Sequence, residues 1–141
     1  MSPTTLPDAE AFRHADAAAL AAVWATSRAR LLALFAAWRA GLPANLEIRY
    51  APELNPPLWE LGHIGWFEEY WIARNPQRLR GTAADPDSAR AAPLRREADA
   101  LYHSSRVAHT QRWQLALPDA ARTLDDLARV HERTRALLAQ A

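Results

Sequence analysis

Apolar residues recur with helical spacing in three long stretches of the chain. The first runs from about Ala17 to Ala40, between Asp16, a favourable N-cap, and Gly41, a residue type that often follows a helix. The second covers about residues 57–74, and the third covers about residues 119–140. Apolar positions at i, i+3, i+4 and i+7 indicate amphipathic helices. The pattern therefore predicts an all-α fold with three long helices.

The second stretch predicts the central helix, because it is apolar over most of its circumference. Asn55 before two prolines predicts its N-cap, and Asn75-Pro76 predicts its end. Glu60, Glu68 and Glu69 are left for the solvent side or for polar contacts. One face carries Trp59, Gly62, His63, Trp66, Phe67 and Tyr70.

His63 is the only histidine on that face, and two interpretations of it stay open. It is either a core histidine hydrogen-bonded to a neighbouring helix, or a metal ligand, since imidazole is the commonest metal ligand in proteins. Gly62 beside it destabilises a helix by about 1 kcal/mol relative to alanine. A glycine there suits a place where another helix or a ligand comes close.

Two long segments connect the helices. The first, residues 42–56, contains a short run at 46–50 that looks extended. The second connects the second and third helices, and within it residues 94–117 alternate apolar residues with polar ones, including His103 and His109. This segment is either pinned onto the bundle with its polar groups facing a cleft, or a solvated loop with two surface histidines.

Composition narrows the classes of function. The 141 residues suit one domain, and a net charge of +1 gives no reason to expect nucleic acid or a membrane as partner. The absence of cysteine fits a reducing cytoplasm. No apolar run approaches the roughly 20 residues of a membrane span. Residues 1–6 lack the apolar region of a signal peptide, and Pro7-Asp8 can cap a short turn at 9–14.

Common catalytic motifs are absent from the chain: it has no P-loop, GxGxxG, GxSxG or HExxH. Ser105 and His109 lack an acid that would orient the histidine for nucleophilic catalysis. Three long helices also close a bundle poorly, because each apolar stripe needs partners on two sides. We therefore expect a further helix after Ala141.

Two segments resemble one family. LNPPLWELGHIGWFEEYWIARNP is similar to the second helix of the DinB-like domain that opens the ergothioneine-type sulfoxide synthases, and LYHSSRVAHTQRWQLALP is similar to the segment that follows it. Within the family the chain resembles the selenoneine synthase branch. The resemblance implies an incomplete four-helix bundle. It also implies a non-heme iron(II) enzyme that uses O2 to join sulfur or selenium to the imidazole of hercynine.

The resemblance also implies the metal site. His63 matches the first of three iron-binding histidines. The other two, in an HxxxHxE motif, would follow Ala141, as would a C-terminal domain similar to formylglycine-generating enzyme. The expectation is that residues 1–141 are the N-terminal part of a DinB-like domain. Alone, this chain would hold no Fe(II) tightly and would be inactive, so whether it is itself an enzyme stays open.

The resemblance further implies a binding site for the sulfur or selenium donor. His109 and Arg112 match two positions at which family members that use γ-glutamylcysteine carry arginines. Imidazole cannot form the bidentate pair that guanidinium forms with a carboxylate. We therefore expect another donor, such as a selenosugar. The alternatives are a stand-alone DinB-like domain acting as a metal-dependent thiol transferase or hydrolase, and a non-catalytic helical interaction module.

Overall fold

The computed structural model describes residues 9–140, and these residues form an all-α fold, as the sequence predicts. The signal-peptide region at 1–6 and the cap at Pro7-Asp8 lie outside the described residues. A π-helical turn at Glu69–Ala73 continues the helix that ends at Glu68, and 3₁₀ turns lie at Arg78–Ala83 and His109–Trp113. The α-helices are α1 (Ala9–Arg13), α2 (Ala17–Gly41), α3 (Pro57–Glu68), α4 (Ala98–Tyr102) and α5 (Ala120–Leu138).

The three long helices begin where the sequence predicts, but α3 is capped differently. Asp16 caps α2 by accepting a hydrogen bond from the Ala19 amide at 2.8 Å. The predicted N-cap of α3 at Asn55 is wrong: the cap is Pro56, which makes no side-chain hydrogen bond. Pro57 at the first helical position has no N–H that needs a partner. Asn55 instead donates its side-chain amide to Glu60.

Helix α3 lies at the centre because it contributes to two hydrophobic clusters. Its residue Leu61 packs with Phe35 of α2 and Leu127 of α5. On another side, Trp59 and Trp66 pack against α4. The prediction of a central helix with several apolar faces is thereby confirmed.

Residues 46–50, which the sequence predicts as a short extended run, form no strand, and the first of them departs from extended backbone. Leu46 has φ = 58°, in the left-handed region that leucine rarely adopts. Its side chain is nevertheless buried with Phe35 and Leu61. Burial of an apolar side chain offsets the unfavourable backbone conformation here. Among the described residues, 9–140, no strand is present.

The two consecutive glutamates at the end of α3 are both buried. Glu68 pairs with Arg28 of α2 and accepts a hydrogen bond from Thr134 of α5 at 2.7 Å. Glu69 accepts from the Leu94 amide at 2.8 Å and pairs with Arg133 at 3.1 Å. The sequence predicts that these glutamates face either solvent or polar partners, and for Glu68 and Glu69 the second prediction is correct.

Helix α2 is the least covered of the long helices. Phe35 is its only fully buried residue among those described. Along the groove between α2 and α3, Leu34 is 61% exposed and Trp38 is 47% exposed. By length and composition alone, α2 could cross a membrane, so the expectation that no apolar run approaches that length is wrong. Core helices of bundles pass the same test.

Candidate functional site

Helix α3 presents three aromatic N–H groups to α4 along one face. Trp59 Nε1 donates to the Leu101 carbonyl at 2.8 Å, and Trp66 Nε1 donates to Asp99 Oδ1 at 2.7 Å. Between them, His63 Nδ1 lies 2.8 Å from the Tyr102 carbonyl. The last carbonyls of a helix have no partner within it. The exposed carbonyls at the end of α4 are therefore satisfied by side chains of α3, which fixes α4 against this face.

The hydrogen bond to Tyr102 determines the tautomer of a neutral His63 ring. A carbonyl oxygen only accepts, so Nδ1 carries the hydrogen and Nε2 keeps its lone pair. Among residues 9–140, Nε2 has no hydrogen-bond partner. The ring also stacks on Trp59, with centroids 4.7 Å apart and planes 9° apart. Metal-binding histidines are typically oriented in this way, through a hydrogen bond from the other ring nitrogen.

The face that carries His63 is only partly open. Phe67, 6.0 Å from His63 between ring centroids, is 52% exposed. Trp59 and Trp66 are 1% and 4% exposed, because α4 and the residues after it cover them. Phe67 is the exposed residue of this face, and His63 is half-buried. His63 is hydrogen-bonded to the neighbouring helix α4, as in the core interpretation, but it is half-buried and only its Nδ1 has a hydrogen-bond partner in the described residues, so the metal-ligand interpretation also stays open.

His103 is a site residue whose place sequence analysis missed. It follows Tyr102 directly, and its ring centroid lies 5.0 Å from that of Trp66 and 5.7 Å from that of Tyr70. Its Nδ1 atom is buried without a hydrogen-bond partner in the described part of the chain. Burial, followed by the positive charge of Arg106, lowers the pKa of His103. Its signal in the sequence is weak: it lies six residues before His109, in a loop that alternates apolar and polar residues.

Arg112 packs on Trp59, one of the aromatic residues beside His63. Its guanidinium carbon lies 4.0 Å from the centroid of the Trp59 ring, on which His63 also stacks. Its Nη1 donates to Asn55 Oδ1 at 2.7 Å, and its Nε is buried with no partner in residues 9–140. Arg112 also lines a cavity of about 280 Å³ beside Leu46. The structure therefore connects Arg112 to His63 through Trp59.

His109 lies apart from His63. Its Nε2 is 2.7 Å from the Leu54 carbonyl, so this nitrogen carries the hydrogen. Its ring contacts the rings of Tyr50 and Trp113, at 5.7 and 5.1 Å between centroids. Residues 94–117 are thus pinned onto the bundle rather than solvated, as one of the two predictions had it, and Val107 is fully buried within them. The polar group of His109 therefore faces the backbone carbonyl of Leu54.

An ion pair anchors α4 from its other end. Arg74, only 3% exposed, donates from Nη1 and Nη2 to the two carboxylate oxygens of Asp99 at 2.7 and 2.8 Å. Hydrogen bonding to this guanidinium lowers the pKa of Asp99. Since Asp99 also accepts from Trp66, one carboxylate joins α3, the residues that follow it and α4.

Within residues 9–140, no three histidine, cysteine, aspartate or glutamate side chains come together as a metal-binding group. The described residues therefore do not fit a complete three-histidine iron site. Comparison with known families matches residues 24–141 to the model described as the DinB superfamily. No curated protein sequence matches the chain.

Proposed function

The chain belongs to the DinB superfamily, and we propose that His63 supplies one ligand of a non-heme iron(II) site in a cytoplasmic, O2-dependent enzyme. That enzyme joins sulfur or selenium to the imidazole of hercynine, and this chain is its N-terminal part. The observation that carries the proposal is the orientation of His63. Its Nδ1 is bound to the Tyr102 carbonyl, so its Nε2 lone pair is available.

In this proposal the other two ligands come from outside the described residues. Three neutral imidazoles suit iron(II) and leave positions for substrate and O2, which the bound metal would activate. One imidazole provides no preformed cage, so the chain alone binds iron(II) weakly. The contribution of the chain itself is to hold one imidazole between Trp59 and Trp66 in a single tautomer.

The open groove between α2 and α3 supports the proposal. Two adjoining cavities, of about 360 and 240 Å³, share Leu31 and Ile64 in their walls, and Phe67 lines the larger one. Phe67 contacts the His63 ring, so a helix lying in this groove would pass beside His63. Exposed apolar surface of this kind typically marks the place of a missing partner. We assign it to the segment that carries the remaining ligands.

We assign the sulfur or selenium donor to the surroundings of Arg112. The guanidinium carbon lies 4.0 Å from the centroid of the Trp59 ring, which stacks on His63, and the buried Nε has no hydrogen-bond partner in residues 9–140. A guanidinium in this place suits an anionic or hydroxyl-rich donor. His109 belongs to the same proposed donor site. Its bond to Leu54 gives it an indirect role, holding residues 50–55 beside Arg112.

The test measures iron stoichiometry and donor-dependent product formation in the complete enzyme. His63→Ala is expected to abolish both, while helical content by circular dichroism stays near that of the wild type. Arg112→Ala and His109→Ala are expected to retain iron and weaken use of the donor. The matched control is His14→Ala, which removes an exposed imidazole whose contact is Glu10. Full iron content in His63→Ala would refute the proposal.

One observation favours a second candidate function, a helical interaction module without catalysis. The groove exposes Leu34, Trp38 and Phe67, and such a surface also suits a partner helix. In that case His63 serves only to hold α4, and its replacement would lower the stability of the fold without changing any iron content. The iron measurement therefore separates the two candidates.

A further inference from the structure

We infer that Gly62 is a positioning residue for His63 and acts through Tyr102. A Cβ atom placed on Gly62 would lie 2.3 Å from Tyr102 Cζ, 2.4 Å from Cε1 and 2.6 Å from the hydroxyl oxygen. Carbon atoms in ordinary contact are about 3.5–4.0 Å apart. The tyrosine ring therefore lies directly on the backbone of α3, at a position that only glycine leaves open.

The ring of Tyr102 has little room to withdraw. It is 4% exposed and packs with Trp59 and Trp66, and the same α4 helix is held by Asp99 through Arg74. Interiors of proteins are close-packed, so a clash of this size moves a neighbour instead of being absorbed. The neighbour that must move is the C-terminal residue of α4.

That residue is also the hydrogen-bond partner of His63. The Tyr102 carbonyl accepts from His63 Nδ1 at 2.8 Å, and Gly62 directly precedes His63 in the chain. Because Gly62 has no side chain, Tyr102 can lie close enough to α3 for its carbonyl to accept from His63 Nδ1. This hydrogen bond fixes which nitrogen of His63 carries the hydrogen. The use of the freed Nε2 as a ligand rests on the proposed function, but the positioning by Gly62 is a property of the metal-free chain.

The test is ¹⁵N NMR of the histidine rings in the metal-free chain, at a pH at which imidazole is neutral. In the wild type, His63 is expected to be in the Nδ1–H tautomer. In Gly62→Ala, the ratio of the Nδ1–H to the Nε2–H tautomer is expected to fall roughly 5- to 10-fold, as for the loss of one hydrogen bond. The matched control is Gly41→Ala, where an added Cβ meets nothing within 4 Å, and the ratio should not change.

A second pair of variants keeps the inference testable if Gly62→Ala does not fold. Tyr102→Leu lacks the three atoms that clash, so adding Gly62→Ala to it should cause no further loss of folded protein. Equal damage from Gly62→Ala in both backgrounds, or an unchanged tautomer ratio in folded Gly62→Ala, would overturn the inference. Neither readout involves iron, so failure here is distinct from failure of the proposed iron site.

Discussion

Replacing Asp99 with asparagine should detach α4 from the central helix. The substitution keeps the size of the side chain and removes the charge that meets Arg74 at 2.7 and 2.8 Å. Arg74 is 3% exposed, so its guanidinium would be left without its counter-ion in a nearly dry site. Breaking a buried pair from one side is destabilising by about 3–5 kcal/mol. Since Asp99 itself is 37% exposed, we expect about 2–3 kcal/mol.

The assay is urea unfolding followed by the fluorescence of the six tryptophans, two of which, Trp59 and Trp66, pack against α4. A change of this size corresponds to a fall in melting temperature on the order of 10 °C for a chain of this length. Asp125→Asn, an exposed carboxylate on α5 without a partner in the described residues, is the matched control and should shift stability by less than about 0.5 kcal/mol. A loss below about 1 kcal/mol in Asp99→Asn would refute the anchoring role of this pair.

Two further predictions concern the contacts of α2. Trp24 Nε1 donates to His131 Nδ1 at 2.9 Å, and burial, then the charges of Arg28 and Arg135, lowers the pKa of His131. Protonation of His131 is therefore less favourable in the folded state than in the unfolded state. The contribution of neutral His131 to stability is complete above the unfolded pKa near 6.5, and it is lost as the pH falls through the lower pKa of the folded state. The stability advantage of the wild type over His131→Gln should therefore shrink in urea unfolding as pH drops below 6.5, and a constant gap would contradict this. Arg28→Met should destabilise by about 3–5 kcal/mol because Glu68 stays buried, whereas Arg28→Met with Glu68→Leu should recover most of that loss; an equal loss in both would contradict the pairing.

The long helices could be predicted because local signals and burial agree there. Asp16 and Asp119 are both side-chain caps in the structure, and the apolar spacing of α3 matches the clusters that it joins. These signals depend only on residues close in sequence. The same agreement explains why His63 could be placed on a face with Trp59 and Trp66.

The partners of that face could not be predicted, since they depend on residues far along the chain. Nothing near Glu68 indicates Arg28, 40 residues earlier, or Thr134, 66 residues later. Likewise, the burial of Trp66 follows from α4, whose five residues carry too weak a periodicity to identify. The left-handed backbone of Leu46 has no sequence signal, because leucine is not a residue that favours it.

An anaerobic titration of the chain with iron(II), observed through the NMR signals of its five histidine rings, tests the central claim most directly. Paramagnetic iron(II) broadens the signals of the ring to which it binds. We expect that the His63 signals broaden first, that binding is weak, and that His63→Ala removes the effect. Broadening of His14 or His109 before His63, or tight binding of one equivalent in His63→Ala, would contradict it.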